Sequence, residues 1–447
     1  MQKTVIKSYK FRLYPTAEQS ELLDTTFKAH GYVYNRYLYM RKSSYEATQK
    51  TLKRPKIAGT DKYGRDVFER DDKGKVIQEE YENINYDENA RTMSQYDCSK
   101  ELTQFKKTVE GGWLNAYEAD AFGYTLKDLE AAYQNFYRGI KKKQNIGYPL
   151  PKTKRHPKHS YTTRGAKLVK MGQNAKGKSK FISTQIVTNE NANDNWQWLF
   201  VPKIGNIKIC LHRPPLGDFN HVTISKSSSG KYFAAISCSD VPQEFEPAPN
   251  QQTVGVDVGI STLMTLSNGE VIENGKYLKK ALKRLAKEQR RLSRKQPGSA
   301  NYNKQKLKVA KCHEHVSNQR ANATHNATKQ LIHDNQVIAL ETLDVKSMLH
   351  QRKISRQISD ANFAEIRRQL EYKGDWCDRE IIALDPLFPS TQLCSNCGEQ
   401  TGPQGFDQLN VREWTCPHCG THHMRCINSA INIKNEGNRI RKESCDK

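Results

Sequence analysis

The chain has 447 residues and sets 72 Lys and Arg against 48 Asp and Glu, a formal net charge of +24. That length supports one to three domains with real cores. The charge excess is larger than solubility requires and predicts a polyanionic partner, nucleic acid above all. Hydrophobic residues make up 36%, mean hydropathy is −0.83, and no stretch approaches the roughly 20 apolar residues of a spanning helix. A membrane role is therefore not expected. The opening MQKTVIKSYKFRLYP alternates charged and apolar residues where a secretory core would be continuous, so a cytoplasmic location is expected. Eleven cysteines, odd in number and unevenly spaced, do not read as a disulfide framework.

Val5, Tyr9, Phe11 and Leu13 fall on one face of residues 3–13, the period of a half-buried strand, with Lys7 breaking it. Pro15 and the capping-box pattern Thr16-Ala-Glu-Gln19 then start a helix. Leu22, Leu23, Phe27, Val33, Tyr34, Tyr37 and Leu38 follow at helical spacing. Interleaved with Arg36, Arg41 and Lys42, these aromatics read either as a core stripe or as a stacking surface for bases. Residues 51–97 change character: eleven acids against six basic residues lie between Asp61 and Asp97, around a predicted hairpin at Asp71–Gly74. This reads as a surface insertion in a helical region that resumes near Ser94 and runs to about Lys143.

Residues 144–175 are basic and loop-rich, with Lys152, Lys154, Arg155, Lys158 and Arg164 among Tyr148, His156, His159 and Tyr161. Such a run is either solvated surface or a phosphate-binding stretch. From 180 to 242, FISTQIV, WQWLFVP, IGNIKICL, HVTISKS and YFAAISC predict a small β-barrel or sandwich that the strand at 3–13 could complete. After the linker PQEFEPAP the pattern becomes α/β. Strands are predicted at Thr253–Gly259, Leu263–Leu266, Val271–Ile272, Val337–Leu340 and Ile381–Leu384, with a helix from Asn362 to about Arg379. A helical hairpin spans 276–332, broken at Pro297-Gly298-Ser299; its first arm holds ten Lys and Arg between Lys276 and Lys295, with Glu288 the lone acid.

CSNC at 394–397 and CPHC at 416–419 are separated by 18 residues, and each is followed by glycine. Four thiolates at knuckle spacing make a closed tetrahedral site, so Cys394, Cys397, Cys416 and Cys419 are expected to hold a structural zinc. His418, His422 and His423 lie nearby, but four cysteines complete the shell. Two acids also stand out. Asp257 lies inside an apolar strand and Glu341 at the end of another, positions that are costly unless paired or bound to a cation. Asp257 alone reads equally well as a Gly-flanked turn residue. Together, the two suggest part of a two-metal centre for phosphodiester hydrolysis, where Mg²⁺ ions sit about 3.5–4 Å apart on clustered carboxylates.

In order along the chain, YKFRLYPTAEQ, YPLPKTKRH, FVPKIGNIKI, GVDVG, VIALETLDVKSM, FAEIRRQLEYKGDW, DPLFPSTQLCSNCG, WTCPHCGTHH and INSAINI resemble TnpB. These are the RNA-guided proteins of bacterial insertion sequences, relatives of type V CRISPR effectors. The resemblance spans nearly the whole chain except roughly 51–95. It implies a multidomain α/β plus β-barrel architecture. A wedge strand at 1–14 and a wedge β-barrel at 144–246 would flank a helical recognition domain at 15–143. An RNase H-like (RuvC) nuclease domain at 252–393 would continue at 421–436 around a zinc ribbon at 394–420, leaving a tail at 437–447. It also implies a guide RNA and double-stranded target DNA with a short flanking motif as partners. Asp257 and Glu341 match the first two catalytic acids. Lys100 and Gln104, in a segment resembling the motif-reading helix, could reach base edges, or lie on an ordinary exposed helix face. Lys152, Lys154 and Arg155 are candidates for the nucleic-acid backbone.

The third acid departs from the pattern. The family segment reads His-Asp-Arg-Asp-x-Asn-Ala-Ala; here it is His423-Met424-Arg425-Cys426-Ile427-Asn428-Ser429-Ala430. Cys426 replaces the third acid, and a thiol suits Mg²⁺ poorly, so Mg²⁺ is expected to bind weakly or not at all. The leading expectation is a nuclease-dead, RNA-guided DNA-binding protein that represses transcription. Two alternatives stay open: an active endonuclease with a relocated third acid, with Glu436 and Asp446 the nearest downstream, and a guide-independent nucleic-acid-binding accessory factor.

Overall fold

A computed structural model describes residues 4–60, 66–72, 75–144, 146–153, 156–173, 179–184, 196–242, 246–351, 354–404, 408 and 411–445. The chain folds into two compact units, one comprising Ile6–Ser227 and Lys231–Val241 and the other built on Pro242–Lys447.

In the first unit, strand β1 (Thr4–Tyr14) leads into helix α1 (Ala17–Ala47). The expected capping box is formed: Thr16 Oγ1 accepts from Gln19 N at 3.2 Å, and Gln19 Oε1 accepts from Thr16 N at 3.1 Å. The insertion forms two short antiparallel ladders, β2 (Thr51–Pro55) with β5 (Gln78–Glu82) and β3 (Ile57–Thr60) with β4 (Asp66–Phe68). The predicted hairpin closes around the bridge Arg70–Val76, with Ile77 N donating to Glu69 O at 2.9 Å and Asp71 N to Lys75 O at 2.8 Å, while residues 66–68 pair with the strand before them, Ile57 opposite Phe68. The second helical stretch is two helices, α2 (Gln95–Phe105) and α3 (Ala119–Lys141), separated by a 3₁₀ turn at Gly112–Ala116. They bury Val33, Tyr34, Tyr37 and Leu38 of α1 against Leu102, Phe105, Phe122, Leu126 and Leu129. That decides in favour of core for the α1 aromatic stripe.

Seven strands follow: β6 (Ser160–Thr163), β7 (Lys167–Gln173), β8 (Ser179–Thr184), β9 (Trp196–Val201), β10 (Gly205–Cys210), β11 (Asp218–Lys226) and β12 (Tyr232–Pro242). With β1 they make an eight-stranded sheet in the order β6-β11-β12-β1-β10-β9-β7-β8. The ladders β1–β10, β10–β9, β9–β7, β7–β8, β11–β12 and β11–β6 are antiparallel. The N-terminal strand therefore lies in the middle of the sheet.

The second unit holds a five-stranded sheet of β13 (Asn250–Val258), β14 (Thr262–Leu266), β15 (Val271–Glu273), β16 (Asn335–Leu340) and β17 (Glu380–Ala383). Its order is β15-β14-β13-β16-β17. The first three strands run antiparallel, while β13–β16 and β16–β17 are parallel. Between β15 and β16 come the hairpin arms α4 (Tyr277–Ser293) and α5 (Ala300–Asp334); α6 (Val345–Leu349), α7 (Ser355–Ala361) and α8 (Phe363–Cys377) precede β17. A two-stranded ribbon, β18 (Glu413–Thr415) with β19 (His422–Met424), leads into α9 (Arg425–Cys445).

Strand side chains alternate between faces. Val254, Val256, Ile338 and Leu340 meet Leu331 and Ile332 of α5 and Ile366 and Leu370 of α8. On the opposite face, Val337 and Ala339 meet Ile433 of α9. That second face includes Gly255, where an added Cβ would sit 2.0 Å from the Ala430 carbonyl oxygen. Only glycine lets α9 lie this close. By the same alternation, Asp257 and Glu341 share the α9 side. Among the described residues, no helix is long and apolar enough to cross a membrane.

Candidate functional site

Register brings the two acids together. Val256 pairs with Leu340 in the parallel β13–β16 ladder, so Asp257 and Glu341, each one residue further on, end at the same level of the sheet. Asp257 is 7% exposed. Burial pushes its carboxyl above the ordinary range, although Ser429 and Cys426 both hydrogen-bond to it. Ser429 Oγ donates to Asp257 Oδ1 at 2.9 Å. Glu341 Oε1 accepts from the Val258 backbone N–H at 3.2 Å. Burial and the neighbouring Asp257 push the Glu341 carboxyl up to about 8. Burial and Asp257 likewise push the Cys426 thiol up to about 11, so it is a thiol at neutral pH and a donor to the carboxylate.

The arrangement thus offers the Asp257 carboxylate, a Glu341 carboxyl that holds its proton near neutral pH, and a protonated thiol. Hard cations such as Mg²⁺ take oxygen ligands in near-octahedral geometry, usually carboxylates and water, and this donor set does not fit them well. Met424, which stands where the family carries another aspartate, is 54% exposed. Glu436 lies on α9 ten residues beyond Cys426 (436 − 426), about 15 Å along the axis at 1.5 Å per residue. It is paired with Arg439 at 2.7 Å. Asp446 lies outside the described residues.

The four cysteines behave differently. Their sulfurs all lie within 4.8 Å of one another, and no other group of three or more His, Cys, Asp or Glu donors converges this way among the described residues. Cys394 and Cys419 sulfurs are 3.6 Å apart, Cys397 and Cys416 3.7 Å. A tetrahedron with Zn–S bonds of about 2.3 Å has edges of roughly 3.8 Å, so the cluster fits zinc. Gly398 and Gly420 take φ of 80° and 71°, the left-handed turn that lets backbone N–H groups curl toward the sulfurs. His423 Nε2 lies 3.0 Å from Cys394 Sγ, while its ring packs on Trp414 with centroids 4.8 Å apart. It sits beside the cluster as a neighbour of one sulfur.

The remaining candidates are scattered. Lys100 and Gln104 are both exposed on α2, four residues apart and away from its buried Cys98, Leu102 and Phe105. Lys152 is pinned to α1 through Asn35, whose side chain bonds both its N–H (2.7 Å) and its carbonyl (2.8 Å). Its Nζ stands 4.5 Å over the Tyr34 ring, and burial together with Lys158 lowers its pKa. Lys154 and Arg155 lie outside the described residues. Sequence reasoning missed Ser390, Asn428, Ser429 and Asn432, four buried polar side chains around Asp257 and the first cysteine knuckle. Asn428, Ser429 and Asn432 share one turn of α9, and the polar residues in INSAINI were the available signal.

Three family profiles match successive parts of the chain. Residues 236–352 match the family profile described as "Probable transposase". Residues 363–433 match a Cas12f1-like TNB domain, and residues 1–50 match a profile described as a helix-turn-helix domain, although here they form β1 and the single helix α1. A Streptomyces pristinaespiralis protein named "Putative RNA-guided DNA endonuclease" is 33% identical over 435 residues, covering 97% of this chain and 90% of its own length. A similarly named Escherichia coli protein is 29% identical over 326 residues, covering 70% of this chain and 73% of its own. Among solved structures, a Cas12f1-sgRNA-target DNA complex aligns with a TM-score of 0.46 at 13% identity, over 97% of this chain and 99% of that one. The chain belongs to the TnpB family, the IS605 OrfB proteins of insertion sequences.

Proposed function

We propose that this protein binds a guide RNA, recognises matching DNA beside a short flanking motif, and holds that DNA without cutting it. Where the target overlaps a promoter, the bound complex blocks transcription. Family membership and the names of the two relatives support guide RNA and DNA as partners, and the +24 charge suits both. The mixed sheet with two acids at one level is consistent with the RNase H-like (RuvC) domain that the resemblance implies.

One observation carries the reading of a silent nuclease centre: both remaining carboxylates accept hydrogen bonds from the protein, and the third position is a thiol donor. Two-metal hydrolysis needs carboxylates that converge on the ions to stabilise attacking and leaving oxygens. The distance and pairing of Glu436 argue against a relocated acid. Binding requires no hydrolysis, because the RNA–DNA hybrid replaces a DNA duplex of similar stability. The cysteine cluster holds one zinc in a closed shell, which stabilises the ribbon and performs no chemistry. The protein acts in the cytoplasm.

The test supplies guide RNA, matched DNA with its flanking motif, and Mg²⁺ or Mn²⁺, and measures binding and cleavage separately. Guide-dependent binding with intact DNA is the expected result. Guide-dependent cleavage that disappears on Asp257→Ala would overturn the reading.

A further inference from the structure

We propose that Asp257 has become a structural acceptor: Ser429 and Cys426 lock its carboxylate onto the first turns of α9, and that lock takes the place of a metal ion in joining β13, α9 and the cysteine ribbon. The inference rests on the reading that this centre does not load catalytic Mg²⁺.

A buried carboxylate with no partner is costly, and donors aimed at it offset that cost. Here the donors come from a turn of α9 that holds three things at once. Ser429, fully buried, bonds Asp257 Oδ1 at 2.9 Å. Ser390 Oγ lies 3.1 Å from Ser429 Oγ. Asn432 Nδ2 donates to the carbonyls of Ser390 at 2.8 Å and Leu393 at 2.7 Å. Asn428 Nδ2 also donates to Leu393 O at 2.7 Å, and Asn428 Oδ1 accepts from Ser395 N at 2.8 Å. Leu393 and Ser395 flank Cys394 in the chain. One helical turn therefore ties the sheet acid to the first cysteine knuckle.

Two consequences follow. Removing the Ser429 hydroxyl loosens the start of α9, which a pure remnant of a metal site would not do. Restoring a carboxylate at position 426 is not enough to recover metal binding, because Asp257 stays engaged by Ser429.

The experiment compares the full-length, zinc-loaded protein with Ser429→Ala and Ser429→Thr in buffer without Mg²⁺, following amide exchange through residues 425–433. Ser429→Ala should speed exchange roughly five- to tenfold, the size expected for one lost hydrogen bond, and Ser429→Thr, which keeps the hydroxyl, should stay near the parent. Mn²⁺ binding by electron paramagnetic resonance then compares Cys426→Asp with Cys426→Asp/Ser429→Ala. The double variant should bind at least about tenfold tighter, since the competing donor is gone. Unchanged exchange in Ser429→Ala, or equal Mn²⁺ affinity in the two position-426 variants, would overturn the lock. Should the Cys426→Asp variants fail to fold, the exchange measurement decides alone. Neither readout uses nucleic acid, so a parent protein that cuts DNA sinks the silent-nuclease reading separately.

Discussion

The cysteine cluster and the acid pair are both tied to one short stretch of chain, since Cys426, which bonds Asp257, follows Cys419 by seven residues, yet their donors are arranged differently. In the cluster, four sulfurs face one another at tetrahedral edge lengths. At the acid pair, two carboxylates face protein donors instead of each other's ion. Donor chemistry separates them. Thiolates make weak hydrogen bonds, so their best partner is a metal. A buried carboxylate accepts strong hydrogen bonds from any hydroxyl or N–H within reach. Once one carboxylate of a hard-metal site is lost, nearby hydroxyls can satisfy those that remain.

The largest expected effect that could break this contrast comes from the cluster. Cys416→Ser should abolish zinc binding and unfold the ribbon, because a structural zinc site contributes folding free energy on the order of 10 kcal/mol in small zinc modules. Metal analysis should fall from about one zinc per chain to none. Asp257→Ala should leave zinc content unchanged, and equal zinc loss in both variants would erase the distinction. A smaller effect comes from Gly255→Ala. Its Cβ would meet Ala430 O at 2.0 Å and Lys434 N at 2.5 Å, so α9 must shift away from β13. Overpacking of this kind costs about 1–3 kcal/mol. The melting temperature should drop while zinc stoichiometry stays the same, and an unaltered melting temperature would show that α9 does not need its seat on β13.

The smallest effect is one of pH, and the two sites should respond with opposite sign. Glu341 is held up to about 8 from an ordinary 4.5, so the folded state binds its proton more tightly than the unfolded state. The resulting stability is complete below about 4.5 and is lost as pH rises through about 8. Zinc thiolates behave the other way, since acid protonates them and releases the metal. Melting curves recorded across this range should show the second unit weakening toward alkali, with Glu341→Gln flattening that slope. Zinc release should instead appear on the acid side. A stability that rises with pH across the window and is unaffected by Glu341→Gln would contradict the protonated carboxyl.

The four-cysteine cluster was legible in the sequence because it comes as two local CxxC turns, and the turns themselves aim the sulfurs. The five sheet strands were legible too, since apolar runs such as Val337–Leu340 bury both faces, and so was the capped start of α1. Asp257 and Glu341 could be named together as acids at strand positions, and register then places them at one level of the sheet. Pattern alone could not tell the α1 aromatic stripe from a base-stacking surface; packing against α2 and α3 settled it. Nor could it foresee that Asp66–Phe68, beside the predicted hairpin, would pair with Ile57–Thr60. Which groups satisfy the two buried carboxyls was decided by tertiary structure alone. Asp257 and Ser429 are 172 residues apart, and they meet because parallel register sets the height of the acids and Gly255 lets α9 approach the sheet. A hydrogen bond of that range depends on the relative placement of a strand and a helix to within a fraction of an ångström, and no local pattern encodes that placement.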